Sequence, residues 1–253
     1  MNPARLLLLP ALLILTVAAH ATVTENFSRS YPLTADGTVS LDTVNGDIEI
    51  TGWDRPEVRV EAVKRARNAD ELKRLEILID ASPTRLALKT RQPKNSFGFF
   101  WFGHGNARGE VRYKLMVPAG ARLQKIDSVN ADITVTGVRG PVDLDTVNGR
   151  IRATGLAADG RFDTVNGSIT ASYDTLHDTR RVVLDTVNGS CTLRLPPEAT
   201  GRVKADTVNG RIVCDFPIRL ESSGRRSLRG VIGEDGPDLV LDSVNGSLRL
   251  EAK

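Results

Sequence analysis

Cysteine, histidine and aromatic side chains are scarce in this 253-residue chain, which holds two Cys, three His, two Trp, three Tyr and seven Phe. It has no Cys-x-x-Cys, no His-Glu-x-x-His, no Gly-x-Ser-x-Gly and no Gly-rich phosphate loop after a strand. Those gaps exclude the common zinc, redox, serine-hydrolase and nucleotide-binding constellations, each of which needs its residue types at fixed spacing. No catalytic residue, cofactor or metal site is read from the sequence, and the chain is expected not to be an enzyme. Excess charge of one sign is also missing, with 34 Lys and Arg against 31 Asp and Glu. Nucleic-acid binding calls for a basic excess or stripe, so no nucleic acid is expected as a partner. The local runs Lys64-Arg65-Ala66-Arg67, Arg180-Arg181 and Arg225-Arg226 read as solvated faces.

Apolar runs long enough for a comfortable membrane span are lacking too. The longest, Leu6 to Ala19, follows a single positive charge at Arg5 and ends in the small-x-small sequence Ala19-His20-Ala21. That pattern predicts a secretory signal peptide over residues 1–21, cleaved after Ala21. The expected destination is periplasmic or secreted. No cysteine follows the cleavage site to take a lipid, and no hydrophobic tail precedes Lys253.

What the chain has in abundance is one repeated pentapeptide. Asp42-Thr43-Val44-Asn45-Gly46 recurs unchanged at Asp145, Asp163, Asp185 and Asp206, with Ser243 for Thr at Asp242, and with Ser128 for Thr and Ala131 for Gly at Asp127. From Asp127 the steps are 18, 18, 22, 21 and 36 residues. Steps of about 18 residues suit one coil of a solenoid, and 36 reads as two such steps. An apolar residue precedes every Asp: Leu41, Ile126, Leu144, Phe162, Leu184, Ala205 and Leu241. Others follow two and four residues after the Gly position, as Ile151 and Ala153 do. This period of two predicts strands with one buried face. The motif Val sits three residues after the first apolar position, so a bend is expected near Asp-Thr, with Asn-Gly turning the chain and Asn a candidate for positive φ.

Stacking such coils predicts two columns of side chains. Asn45, Asn130, Asn148, Asn166, Asn188, Asn209 and Asn245 would bond amide to amide along the stack. Asp42, Asp127, Asp145, Asp163, Asp185, Asp206 and Asp242 would repel one another, an effect offset by Thr or Ser hydroxyls and turn amides, by bases such as Arg150, Arg161 and Arg211, or by a cation; the single carboxylate per turn argues against calcium. Both columns are read as a structural turn ladder. Cys191 and Cys214 are expected to stay reduced and buried, on adjacent coils about 8 Å apart by one step across and two residues along.

Residues 57–118 break the repeat. Val58–Val63, Arg85–Lys89 and Glu110–Val117 read as strands, and Asn68 as the N-cap of a short helix from Ala69 to Leu75. Within this stretch, residues 96–105 gather Phe97, Phe99, Phe100, Trp101 and Phe102 among Gly98, Gly103 and Gly105. These aromatics are the candidate contact surface, for a membrane interface near Arg91, Lys94 and Arg108 or for a partner's groove; the alternative is a plug over an open end of the solenoid.

The Val-Asn-Gly-x-Ile turns, the segment Leu115-Met116-Val117-Pro118-Ala119-Gly120-Ala121, and Gly230-Val231-Ile232-Gly233-Glu234-Asp235-Gly236 before Leu241-Asp242-Ser243-Val244-Asn245-Gly246 resemble the DUF4097 family of adhesin-like bacterial proteins. The resemblance covers nearly the whole chain beyond residue 21. It implies a β-solenoid and, in some relatives, a link to envelope stress responses, with no catalytic residues to carry over. The fold expected is all-β: a single-stranded β-helix of about seven or eight coils, comprising a first strand and coil over 22–56, a small α+β insertion over 57–118 and the repeat solenoid over 119–253. The function expected is noncatalytic binding or scaffolding in the cell envelope, toward an envelope protein, a glycan or a membrane surface. Two other classes are an envelope-stress accessory protein and a polysaccharide-acting β-helix enzyme, the latter disfavoured by short, uniform coils.

Overall fold

The computed structural model describes residues 22–91 and 109–253. In chain order the elements begin with β1 (Val23–Pro32), β2 (Thr38–Asp42), β3 (Ile48–Trp53), β4 (Glu57–Ala66), α1 (Ala69–Arg74), β5 (Glu76–Ser82), β6 (Arg85–Arg91) and β7 (Glu110–Pro118). The repeat region follows with β8 (Arg122–Asn130), β9 (Ile133–Thr136), β10 (Val142–Asn148), β11 (Ile151–Leu156), β12 (Gly160–Asn166), β13 (Ile169–Tyr173), β14 (Arg181–Asn188) and β15 (Cys191–Leu195). Last come β16 (Gly201–Thr207), β17 (Ile212–Cys214), β18 (Ile218–Ser223), β19 (Ser227–Ile232), β20 (Asp238–Asn245) and β21 (Leu248–Ala252). The chain is all-β with extensive parallel pairing, and it does not close into a barrel.

Each repeat contributes one strand to each of two sheets. In β10, Val142, Leu144 and Thr146 point inward while Asp143, Asp145 and Val147 point away; after the Asn-Gly turn, Ile151 and Ala153 of β11 point inward. The strand therefore runs straight through Asp-Thr-Val, and the corner lies at Asn-Gly. This corrects the bend expected near Asp-Thr: Thr, not Val, keeps the alternation. The motif strands and their companions stack as β2–β3, β8–β9, β10–β11, β12–β13, β14–β15, β20–β21 and β16–β17, and one continuous core fills the space between the sheets. The β10–β11 layer alone buries Val142, Leu144, Ile151 and Ala153, and a full-sized aliphatic among these contributes about 1.5–3 kcal/mol relative to exposure.

Layer order departs from chain order at one place. β20 lies between β14 and β16, pairing parallel with both, and β21 lies between β15 and β17. The 36-residue step between Asp206 and Asp242 thus holds no second coil. It holds the hairpin β18–β19, of which β19 runs antiparallel on the outer side of β16. Cys191 and Cys214 consequently sit beside Leu248 and Leu250 of the same intervening strand, two layers apart rather than one. Both are free thiols, Cys191 buried and Cys214, contrary to expectation, only half-buried.

Residues 57–118, expected as an inserted α+β unit, supply strands to both sheets. β6 pairs parallel with β2, and β7 parallel with β3. Antiparallel strands then close this end, β4 and β1 on one sheet and β5 on the other. The short helix forms as its cap predicts: Asn68 accepts from the Glu71 amide at 2.8 Å, and Leu72 is buried.

Candidate functional site

The seven motifs are in register, so identical side chains form straight columns about 4.8 Å per step. The Asn column is a complete amide ladder. Asn130, Asn148, Asn166, Asn188, Asn245 and Asn209 each donate Nδ2 to the Oδ1 of the Asn on the layer before, at 2.8–2.9 Å. At its start Asn45 donates to the Gly109 carbonyl at 3.5 Å. None of these Asn takes positive φ; Lys125, in a bulge of β8, is the one non-glycine residue to do so among the described residues. The left-handed turn expected of Asn is therefore not what shapes the corner.

Thr and Gly act together across layers. Thr146, Thr164, Thr186, Ser243 and Thr207 are buried and donate to the carbonyl at the Gly position of the neighbouring layer at 3.0–3.1 Å. The motif glycines are required by that close approach: a Cβ on Gly149, Gly167, Gly189, Gly210 or Gly246 would lie 1.7–1.9 Å from the facing carbonyl oxygen. Ala131 is tolerated where the preceding layer differs, because Gly46 alone of the motif glycines has positive φ, 109°. At the same junction the Ser128 hydroxyl is buried without a partner.

The Asp column runs along the outer face of the eleven-stranded sheet in the order Asp42, Asp127, Asp145, Asp163, Asp185, Asp242, Asp206. Basic neighbours offset part of it: Lys89 on Asp42 at 2.6 Å, Lys125 on Asp127 at 3.5 Å, Arg161 on Asp163 at 2.8 Å, and Lys204 and Arg229 on Asp206 at 3.9 and 3.5 Å. Among the described residues Asp145, Asp185 and Asp242 form no ion pair. The hydroxyl offset expected of Thr or Ser does not operate, since five of those hydroxyls donate inward to carbonyls and those of Thr43 and Ser128 are buried without a partner. Arg150 pairs instead with Asp132 at 3.5 Å. Partial burial, more than the neighbouring carboxylates, raises the Asp127, Asp145 and Asp242 carboxyls above their usual range. Asp163 is pushed up to about 6 by burial, against the pull of Arg161 and with the help of Asp185 and Asp145. No group of three or more His, Cys, Asp or Glu converges as a metal cage among the described residues.

Beside the Asp column runs one that hydropathy misassigned. Val129, Val147, Val165, Val187, Val244 and Val208 are exposed by 37 to 52%, and Val44 is half-buried at the start. Six steps of about 4.8 Å make this an apolar stripe roughly 29 Å long. On the other side of the Asp column, an open groove of about 550 Å³ is lined by Arg122, Asp143, Asp159, Arg161, Arg181 and Val183. The face thus offers parallel lines of aliphatic, carboxylate and mixed-charge groups. Such a surface can bind a partner along its length. The sequence signal for the Val column was present, since Thr and Val compete for the inward position two and three residues after Leu. Phe97, Phe99, Phe100, Trp101 and Phe102 lie outside the described residues.

No family model matches this chain, and no curated protein does. Its fold is shared with a candidate cell adhesion protein of Clostridium sporogenes, at 12% identity and a TM-score of 0.53, over 90% of this chain and 100% of the other. A candidate adhesin of Bacteroides fragilis aligns at 11% identity and a TM-score of 0.32, over 90% of this chain and 97% of its own. A candidate lipid-binding protein of Parabacteroides distasonis aligns at 8% identity and a TM-score of 0.31, over 88% and 96% respectively.

Proposed function

We propose that this chain is an exported, noncatalytic binding or scaffolding module of the cell envelope, adhesin-like in action. Its parallel layers stack as a β-solenoid, and its contact surface is the Val and Asp face, with the aromatic segment 97–102 as a second contact. The partner class is an envelope protein, a glycan or a membrane surface. One observation carries the reading: across seven repeats Thr gives way to Ser and Gly to Ala, yet Val never changes although it is exposed in six of the seven. Asn is held by its ladder, whereas Val makes no bond that would fix it. Thr has the same branched shape and β preference, so an invariant, exposed Val points to use of its apolar surface. The fold shared with a candidate cell adhesion protein supports the same reading.

The test is the triple variant V165T, V187T and V244T, which keeps shape and removes apolar contact. Binding to isolated cell envelopes, peptidoglycan and anionic liposomes is measured beside thermal melting. The expected result is at least about a tenfold loss of binding, 1.4 kcal/mol, with melting nearly unchanged. Equal binding by the variant and the parent would remove the Val stripe as the contact surface.

A further inference from the structure

Two coils are longer than their neighbours, and their surplus gathers at one edge of the stack. The steps from Asp163 to Asp185 and from Asp185 to Asp206 are 22 and 21 residues, against 18 for the two before them. Since β13 and β15 stay in register with their partners, and β14 and β16 do so through β20, the extra residues fall between the sheets. They form the loops 174–180 and 196–200, which lead into β14 and β16. The loop 233–237 leads into β20, the layer between those two. Three consecutive layers thus carry a loop at the same edge, opposite the Asn-Gly corners. In repeat proteins, insertions that collect on one face often make the binding face.

The three loops line an open cavity of about 650 Å³, a size that suits a small ligand. Its walls are tied in place. The Arg180 amide donates to Asp159 Oδ1 at 2.6 Å, the Asp238 amide to the Arg180 carbonyl at 2.9 Å, the Ala199 amide to the Pro196 carbonyl at 3.0 Å and Thr200 Oγ1 to the Asp235 carbonyl at 3.3 Å. One wall group is left over. Thr179 lines the cavity, is only 7% exposed, and its hydroxyl is buried without a partner, a state that folded chains avoid. A change of χ1 well would give that hydroxyl a partner on a ligand. Charge around the cavity is balanced: Arg180 and Glu198 are exposed and form no ion pair among the described residues, while Arg202 is engaged by Asp238 at 2.9 Å. An anion would face Glu198 and a cation would face Arg180, each a like-charge juxtaposition. A neutral polyol satisfies both, donating to the carboxylate and accepting from the guanidinium. Leu176, Pro196 and Pro237 add C–H surface, which suits the apolar face of a sugar ring.

We infer that this cavity is a saccharide-binding site that takes a short, uncharged oligosaccharide, with Thr179, Arg180 and Glu198 as its hydrogen-bonding groups. The inference rests on the glycan among the partner classes proposed above, and it adds a site that shares no residue with the Val and Asp columns.

The full chain and the single variants T179V, R180Q and E198Q are titrated by calorimetry with maltotriose, chitotriose and mannotriose, and with trigalacturonate as the charged comparison. The expected result is saturable, one-to-one binding of at least one neutral trisaccharide in preference to trigalacturonate. R180Q and E198Q should each weaken it at least about tenfold, the scale of a lost hydrogen bond to a charged group. T179V should also weaken binding yet leave thermal melting unchanged or higher, because it removes a hydroxyl that has no partner in the free chain; a merely structural Thr179 would change melting alone. Absence of saturable binding by every neutral trisaccharide at millimolar concentration would overturn the inference, as would a preference for trigalacturonate or binding that R180Q and E198Q leave intact. A parent chain that binds envelopes through the Val column and binds no trisaccharide would sink this inference and leave the earlier reading standing.

Discussion

Replacing Gly167 by Ala separates two explanations of the motif glycine by the sign of the effect. Gly167 does not have positive φ. If its role were only conformational, Ala would be accepted and would stabilise by about 0.4–1 kcal/mol through the unfolded chain. The stacked layers predict the opposite. The new Cβ would lie 1.8 Å from the Gly149 carbonyl oxygen, and the layers must part by more than 1 Å to admit it. The bonds that join them near this point are Thr164 Oγ1 to the Gly149 carbonyl at 3.1 Å, Asn166 Nδ2 to Asn148 Oδ1 at 2.9 Å, and the Gly149 amide to the Asn166 carbonyl at 3.1 Å. Stretched by that distance, all three are lost. At about 1 kcal/mol each, and with overpacking of the same order, the cost is about 3 kcal/mol or more. Urea unfolding followed by circular dichroism, with Ala131→Gly as the control, measures it. The control should change stability by no more than about 1 kcal/mol. A G167A variant as stable as the parent, or more stable, would refute the close-approach explanation.

Two further predictions concern titratable groups. The Asp163 carboxyl is held at about 6 in the folded chain, above its unfolded value, so the folded state takes up a proton that the unfolded state does not. Folding should therefore strengthen as pH falls from about 7 to about 5, and D163N should flatten that dependence of the melting temperature; a melting temperature that falls steadily over this range would contradict it. Burial raises the Cys191 thiol to about 12 and also raises the half-buried Cys214. A disulfide-exchange reagent should label Cys214 well before Cys191, the latter only on unfolding, and equal rates at both would show that the layer holding Cys191 opens freely.

The repeat, the inward row from Leu41 to Leu241, the Asn ladder and the Asn68 cap were all legible because each depends on spacing along the chain or on one column of identical residues. The Val column was not. Leu-Asp-Thr-Val offers two inward candidates, and hydropathy favours Val. Thr can be buried only because a carbonyl from another layer accepts its hydroxyl, and that carbonyl belongs to a residue some fifteen or more positions away, as in Thr164 to Gly149. The place of β20 was hidden for a related reason. Its Asp-Ser-Val-Asn-Gly fits beside any other motif, so nothing local distinguishes β14 and β16 from β16 and β19 as its neighbours. The glycine requirement was seen, but its cause was assigned to backbone angle when it lies in the spacing between layers.

The amide ladder also has a direction. Every Asn from Asn130 to Asn209 points its N–H toward the β2 end, and dipoles aligned head to tail polarise one another and sum, as they do along a helix. The column is thus an electrical vector, positive at Asn45, where the Gly109 carbonyl meets it, and negative at Asn209, whose Oδ1 meets no donor among the described residues. The two ends of the stack are unequal to any charge that approaches along the axis. A cation is favoured at the β16–β17 end and an anion at the β2 end, a polarity fixed by side chains that carry no net charge.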